Sequence, residues 1–183
     1  SWHKGSFEDN RATLLIQDAR KFIERTDLKF DIIYSDLPSP IEGGPAYRLY
    51  TKEFYEILKT RLNNGGMFAM QAGPGHILQL NLHSALYNTL SKVFKNVVSY
   101  NFFIPSYDMP WSYLIASDSD IKSIEKNNIK KKINTMFLKK PKLIDEEVLS
   151  GIFNIPLYIK NDIKNSKVII TEKKPIFFST SRY

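Results

Sequence analysis

Apolar residues along this chain follow two alternating rhythms. Thr13–Gln17 (TLLIQ) is a short, nearly continuous apolar run and reads as a buried strand, with Asp18 ending it and capping a helix over Ala19–Arg25. Phe30–Asp36 (FDIIYSD) is a second strand, rich in β-branched and aromatic residues. Leu37–Ala46 holds three prolines and two glycines and is a loop. Phe54, Tyr55, Leu58 and Leu62 recur at helical spacing and predict a helix over Thr51–Leu62, closed by a left-handed turn in Asn63-Asn64-Gly65-Gly66. Met67–Ala72 is a third strand. Leu82, Leu86, Leu90 and Val93 predict an amphipathic helix over Leu80–Phe94. Asn96–Ile104 and Trp111–Ser117 are strands separated only by Pro105–Pro110, hence a hairpin. Asp145–Glu147 opens a short helix whose acidic first turn suits the helix dipole, and Pro156 and Lys173-Lys174-Pro175 break up the remainder.

Strands alternating with helices predict an α/β layered fold with a mostly parallel sheet, closed by an antiparallel hairpin. Such sheets bind ligands beyond the carboxyl ends of their strands. Asp18, Asp36, Gln71 and Tyr107 all follow strands on that edge and are expected to converge on a single cleft.

Composition narrows the chemistry. With 183 residues, 43% hydrophobic and 25% charged, the chain has the makeup of one soluble domain. It has no cysteine, which excludes disulfides, thiol catalysis and cysteine-ligated metals. His3, His76 and His83 lack metal-ligand spacing, and His83, four residues after Gln79 on a helix, reads as surface or half-buried. There is no nucleophile elbow and no phosphate-binding glycine loop. No apolar run approaches the ~18 residues of a membrane span and no signal peptide is evident, so a cytoplasmic location is expected, without a membrane partner.

The formal net charge of +7 suggests a nucleic-acid partner until its distribution is read. Residues 1–120 hold 12 Lys+Arg against 13 Asp+Glu, and residues 121–183 hold 14 against 6. The excess therefore lies in a basic C-terminal extension. Its lysines at 122, 126, 130, 131, 132, 139, 140 and 142 have only Phe137 among them, a solvated basic face and not the interleaved aromatics of a nucleic-acid site.

Each candidate residue has a structural and a chemical reading. Asp36 either initiates a turn or orients and deprotonates a cationic nucleophile. Asp18 is a helix N-cap, an acceptor for an amino group such as that of adenine, or both. Gly43-Gly44-Pro45-Ala46 is a plain loop or a close approach for a flat ring. Tyr107 and Trp111 pack on the sheet or wall an alkylammonium chain through apolar and cation–π contact.

Four ordered stretches, IQDARKF, FDIIYSDLPSPIEGGPAYRLYTKEFYE, GGMFAMQAGP and IPSYDMPWSYLIASD, together resemble the spermidine/spermine synthase family, the polyamine aminopropyltransferases. The Glu42–Thr51 segment looks most like the thermospermine-synthase branch. The resemblance covers roughly residues 1–120 and implies a partial Rossmann-like domain of the S-adenosylmethionine-methyltransferase type, its C-terminal portion, with residues 121–183 as its extension. It implies decarboxylated S-adenosylmethionine as co-substrate with no other cofactor and no metal, a polyamine as acceptor, and a homo-oligomeric enzyme. Asp36 falls on the family's proton acceptor. Asp18 and Ala19 fall on the pair that binds the adenine end of the donor; Leu37, Pro45 and Ala46 also fall on the donor side. Ser39, Gln71, Tyr107 and Trp111 fall on acceptor-pocket positions.

Two departures from the family pattern matter. Its Asp-x-x-Asp-Pro motif is here Asp36-Leu37-Pro38-Ser39-Pro40, so the second carboxylate is a hydroxyl, and charge-assisted bonds are roughly twice as strong as neutral ones. The family's N-terminal β-rich domain and glycine-rich donor turn are not in this sequence. In the family's fold two strands lie between those of Thr13–Gln17 and Phe30–Asp36. The expectation is a portion of a longer enzyme, inactive alone, in which Thr13–Gln17 lacks neighbours and Phe30–Asp36 is a bare hydrophobic edge. An ordinary methyltransferase and an inactive homologue binding a polyamine or a partner subunit are the alternatives.

Overall fold

In a computed structural model, residues 2–121, 135 and 141–178 are described. Their centre is a four-stranded sheet of β1 (Phe30–Ser35), β2 (Leu62–Pro74), β3 (Asn96–Ile104) and β4 (Met109–Ser117), in the spatial order β1-β2-β4-β3. β1 and β2 are parallel, whereas β4 is antiparallel to both β2 and β3. The sheet is thus mixed and not mostly parallel: only the one βαβ crossover contributes a parallel pair.

Five helices accompany it among the described residues: α1 (Ala19–Arg25), α2 (Lys52–Lys59), α3 (Asn81–Leu90), α4 (Glu146–Ile152) and α5 (Leu157–Asn165). Thr51 caps α2 by accepting from the Phe54 amide, and Asp145 caps α4 as its acidic start predicts. The expected helix over Thr51–Leu62 ends earlier, at Lys59, because Leu62 to Gly66 already run into β2. Gly65, at φ +79, supplies a left-handed step within that strand, not a helix cap.

Period-3.6 positions on α2 and α3 meet period-2 positions on one sheet face. Tyr55, Leu58, Leu86 and Leu90 pack with Phe68, Leu114 and Ala116 in a core where each is at most 2% exposed. His83 is in this layer too and fully buried, which corrects its reading as a surface group: it faces β3, where its Nε2 shares a 2.9 Å hydrogen bond with Ser99 Oγ. One-dimensional spacing could not tell which side of α3 the sheet would cover.

Thr13–Gln17 forms no strand. Leu14, Leu15 and Ile16 are exposed, because a strand is held by a neighbour's ladder of hydrogen bonds and none of the four strands lies beside it. β1 is an edge strand with Ile32 and Tyr34 exposed, the bare hydrophobic edge that the family resemblance implies.

The end of the basic extension is built into the same layers. Ile159 on α5 is fully buried, and Ser84 on α3 donates to the Asp162 carboxylate. The chain then crosses α2 and α3: Ile170 donates to Thr89 Oγ1 at 2.9 Å and accepts from the Lys52 amide at 2.9 Å. It reaches the loop after β1, where the Phe178 amide donates to the Pro40 carbonyl at 2.6 Å. Lys142 is exposed; the other lysines of the basic run, with Phe137, lie outside the described residues.

Two predictions follow from this core. Leu86→Ala is expected to lower the unfolding free energy by about 2–5 kcal/mol, read as a lower denaturant midpoint. Burial pushes the His83 imidazole down to about 4, whereas the unfolded group titrates near 6.5. As pH falls through that interval the unfolded chain takes up a proton that the folded one does not, so stability is complete above 6.5 and declines towards 4. Replacing His83 by Gln should flatten that part of a stability–pH curve.

Candidate functional site

The site grows from the C-terminal ends of β1 and β2. β1 stops at Ser35 and Asp36 follows at once, exposed at the sheet edge. Pro38 and Pro40 carry no amide hydrogen and cannot extend the ladder, so the chain leaves the sheet. The loop turns back through Gly43, at φ +72, into a 3-10 turn over Pro45–Leu49, with Pro45 in its first turn and Ala46 buried. This brings Tyr50 beneath the loop at 1% exposure. Its hydroxyl donates to the Pro38 carbonyl at 3.0 Å, with the Leu37 carbonyl at 3.3 Å.

Gln71 sits one strand over. Pairing of β2 with β4 slips between Gln71 and Pro74, a β-bulge of the kind that re-aims a side chain. The Gln71 amide donates to the Leu37 carbonyl at 2.8 Å and to the Tyr50 hydroxyl at 3.3 Å. Its oxygen accepts from Trp111 Nε1 at 2.9 Å and from the Gly73 amide at 3.1 Å. Trp111 in turn meets Tyr107, ring centroids 4.6 Å apart, and Tyr107 is half exposed at the hairpin turn.

The structure therefore brings together Asp36, Leu37, Gln71, Trp111 and Tyr107. Ser39 is half-buried in the same loop. Asp18 and Ala19 are exposed at the start of α1, and Asp18 lines a separate open cleft with Gln17, Lys21, Phe22, Arg25 and Thr26. The Asp18 carboxylate accepts from the Lys21 amide at 3.0 Å, which holds it below the usual carboxylate range. α1 is held in place by Arg61, which donates to the carbonyls of Ile23 and Glu24, and by Arg20, which donates to the Arg48 carbonyl at the end of the 3-10 turn.

Three tyrosines at the site were not singled out by sequence. Burial pushes the Tyr50 phenol up to about 12, opposed by its bond with Gln71 and assisted by the Asp36 charge. Tyr113, beside Gln71 in register, is also raised, first by burial and then by the charges of Tyr107 and Asp36. Tyr113 stacks on Tyr100 with centroids 5.1 Å apart. The strand periodicity that buries Leu114 also turns Tyr113 to the opposite face, so that signal was present; nothing local marks Tyr50, whose role depends on a loop folding over it.

Asp36 thus stands close to Tyr50 and Tyr113, at the carboxyl edge of an α/β sheet where Rossmann-like folds hold small ligands. Residues 1–128 match the model of the spermine/spermidine synthase domain. A polyamine aminopropyltransferase of Sulfolobus acidocaldarius is 35% identical over 96% of this chain and 58% of its own length. Thermospermine synthase ACAULIS5 of Arabidopsis thaliana is 36% identical over 86% of this chain and 49% of its own. The crystal structure of spermidine synthase from Thermotoga maritima superposes with a TM-score of 0.70 at 26% identity, over 88% of this chain and 52% of that one. The chain belongs to the spermine/spermidine synthase family, and it spans about half the length of these relatives.

The double reading of Asp18 is separable. Asp18→Asn keeps an oxygen for the Lys21 amide and removes the charge, whereas Asp18→Ala removes both. Hydrogen exchange at the Lys21 amide should stay near the parental rate in the first and accelerate in the second. A loss of adenosine affinity in both would assign the charge to binding an amino group such as that of adenine.

Proposed function

We propose that this chain carries the acceptor side of an aminopropyltransferase site, moving an aminopropyl group from decarboxylated S-adenosylmethionine to a polyamine and releasing 5′-methylthioadenosine. The observation that carries this reading is Asp36, exposed at the end of β1 beside Tyr113, Tyr107 and Trp111, in a chain whose relatives are named polyamine aminopropyltransferases.

The chemistry asks little of the protein beyond placement and one base. An alkylammonium has a pKa of about 10 and no nucleophilic lone pair until it loses a proton. The Asp36 carboxylate attracts the cation, orients it and takes that proton. The freed nitrogen attacks the carbon next to the sulfonium from the side opposite sulfur. The N–C bond forms as the C–S bond breaks, and the electron pair returns to sulfur, leaving a neutral thioether. Holding the two cations in line supplies the larger part of the rate through orientation.

In this assignment Tyr107 and Trp111 wall the methylene chain, Gln71 and Ser39 belong to the acceptor side, and Leu37, Pro45 and Ala46 line the donor side. Asp18 and Ala19 take the adenine end. Ser39 offers a hydroxyl where the family motif has a carboxylate, which weakens the hold on one ammonium and points to a different acceptor preference. The near-neutral charge of residues 1–120 suits cationic substrates. On this reading the enzyme is a cytoplasmic homo-oligomer with neither nucleic acid nor membrane as a partner.

The test is an assay of 5′-methylthioadenosine release from decarboxylated S-adenosylmethionine with spermidine, using the chain together with any natural flanking sequence. Asp36→Asn should lower turnover by about 10²–10⁴-fold while polyamine binding persists. A parent protein that binds polyamine but never turns over would be an inactive homologue, and methyl transfer from S-adenosylmethionine would make it a methyltransferase.

A further inference from the structure

Gln71 has no hydrogen-bonding capacity left for a substrate. Its two amide hydrogens go to the Leu37 carbonyl and the Tyr50 hydroxyl, and its oxygen takes the Trp111 indole and the Gly73 amide. A side-chain amide has two donors and two lone pairs, so the count is full. Each partner leads to a different part of the site. Leu37 is joined to Asp36 by one peptide bond. Trp111 carries the aromatic wall, with Tyr107 against it. Gly73 is the bulge of β2, at φ +83. Tyr50 returns to the loop through the Pro38 carbonyl and closes the circuit.

An apolar residue would satisfy the sheet face at this position equally well, since the next residues on that face, Ala69 and Ile115, are apolar. An amide placed there and spent wholly on the protein serves the spacing of its partners. Burial, assisted by the Asp36 charge, outweighs the opposing bond from Gln71 and keeps the Tyr50 hydroxyl protonated at any physiological pH, so the circuit does not open by titration.

We propose that Gln71 and Tyr50 are positioning residues, which set the distance between the Asp36 base and the Trp111 wall and so fix where an acceptor amine meets the base. This rests on the aminopropyltransferase reading and deepens it. A displacement of 1 Å in such an alignment costs on the order of 10²-fold in rate.

The two arms of Gln71 can be cut separately. Gln71→Glu keeps the oxygen that faces Trp111 and Gly73 and loses the hydrogens that hold Leu37. Gln71→Leu loses both arms, and Tyr50→Phe loses the hydroxyl's ties to Pro38 and Leu37 and its bond from Gln71 while sparing the other three Gln71 bonds. The readouts are steady-state kinetics and the Trp111 indole N–H resonance, identified against that of Trp2, which is fully exposed. Gln71→Glu should lower kcat by about 10- to 100-fold, leave the donor KM within about twofold and leave the indole resonance in place. Gln71→Leu should lower kcat at least as much, raise the polyamine KM and move the indole resonance to its solvent-exposed position. Tyr50→Phe should lower kcat less than either.

Folded variants, checked by circular dichroism, that keep parental kcat and polyamine KM would overturn the proposal, and an unmoved indole in Gln71→Leu would overturn the Trp111 arm. Should Gln71→Leu not fold, Gln71→Glu and Tyr50→Phe decide alone. If the parent transfers methyl and not aminopropyl groups the aminopropyltransferase reading itself fails, whereas a fully active Asp36→Asn removes only the assignment of Asp36 as the base. If the parent is inactive, amide shifts at Leu37 and Ser39 in Gln71→Glu still test the scaffold: a shift supports it and none overturns it.

Discussion

Strand β2 takes a parallel partner on one side and an antiparallel partner on the other, and that double pairing brings Asp36, Gln71 and Trp111 to one edge. A parallel neighbour puts the C-terminal ends of β1 and β2 side by side. An antiparallel neighbour brings the start of β4 to that same edge. Asp36, Gln71 and Trp111 are far apart in sequence and share one sheet edge for this reason. Slippage of one residue in either register would turn Gln71 to the helix-covered face and break the circuit.

Around that pairing, the polar groups are placed by hydrogen-bond accounting. The loop after β1 leaves the carbonyls of Leu37, Pro38 and Pro40 without ladder partners. They are answered by the Gln71 amide, the Tyr50 hydroxyl and the Phe178 amide, drawn from a strand, a turn and the C-terminal segment. The C-terminal end of the basic extension therefore helps hold the loop after β1. Its described lysines, Lys142, Lys160, Lys164, Lys167, Lys173 and Lys174, are exposed, while Ile159 and Ile170 are buried in the core.

Much of the architecture was legible from the chain. The period-2 runs at Phe30–Asp36, Met67–Ala72 and the closing hairpin are strands, and the helical spacing of Leu82, Leu86 and Leu90 is a helix. Five readings did not survive, each for a tertiary reason. The sheet is mixed and not mostly parallel because β4 pairs antiparallel with β2 and β3, and Asp18 does not join Asp36 in one cleft because α1 holds it in a cleft of its own. Thr13–Gln17 has strand composition and no neighbour to pair with. The helix at Thr51 stops at Lys59 because β2 begins earlier to meet β1. His83 is buried because the face of α3 that bears it lies on β3.

What the sequence determined by itself is the alternation of strands and helices and the loop enforced by Pro38, Pro40 and Gly43. Those are properties of a residue and its near neighbours, and local sterics and periodicity settle them. Only the tertiary structure decided that Tyr50 lies under that loop, that Gln71 is spent on four protein partners, and that the basic extension straps the site. Each of these depends on which distant backbone group is left unpaired once the sheet has formed, and no local pattern encodes that.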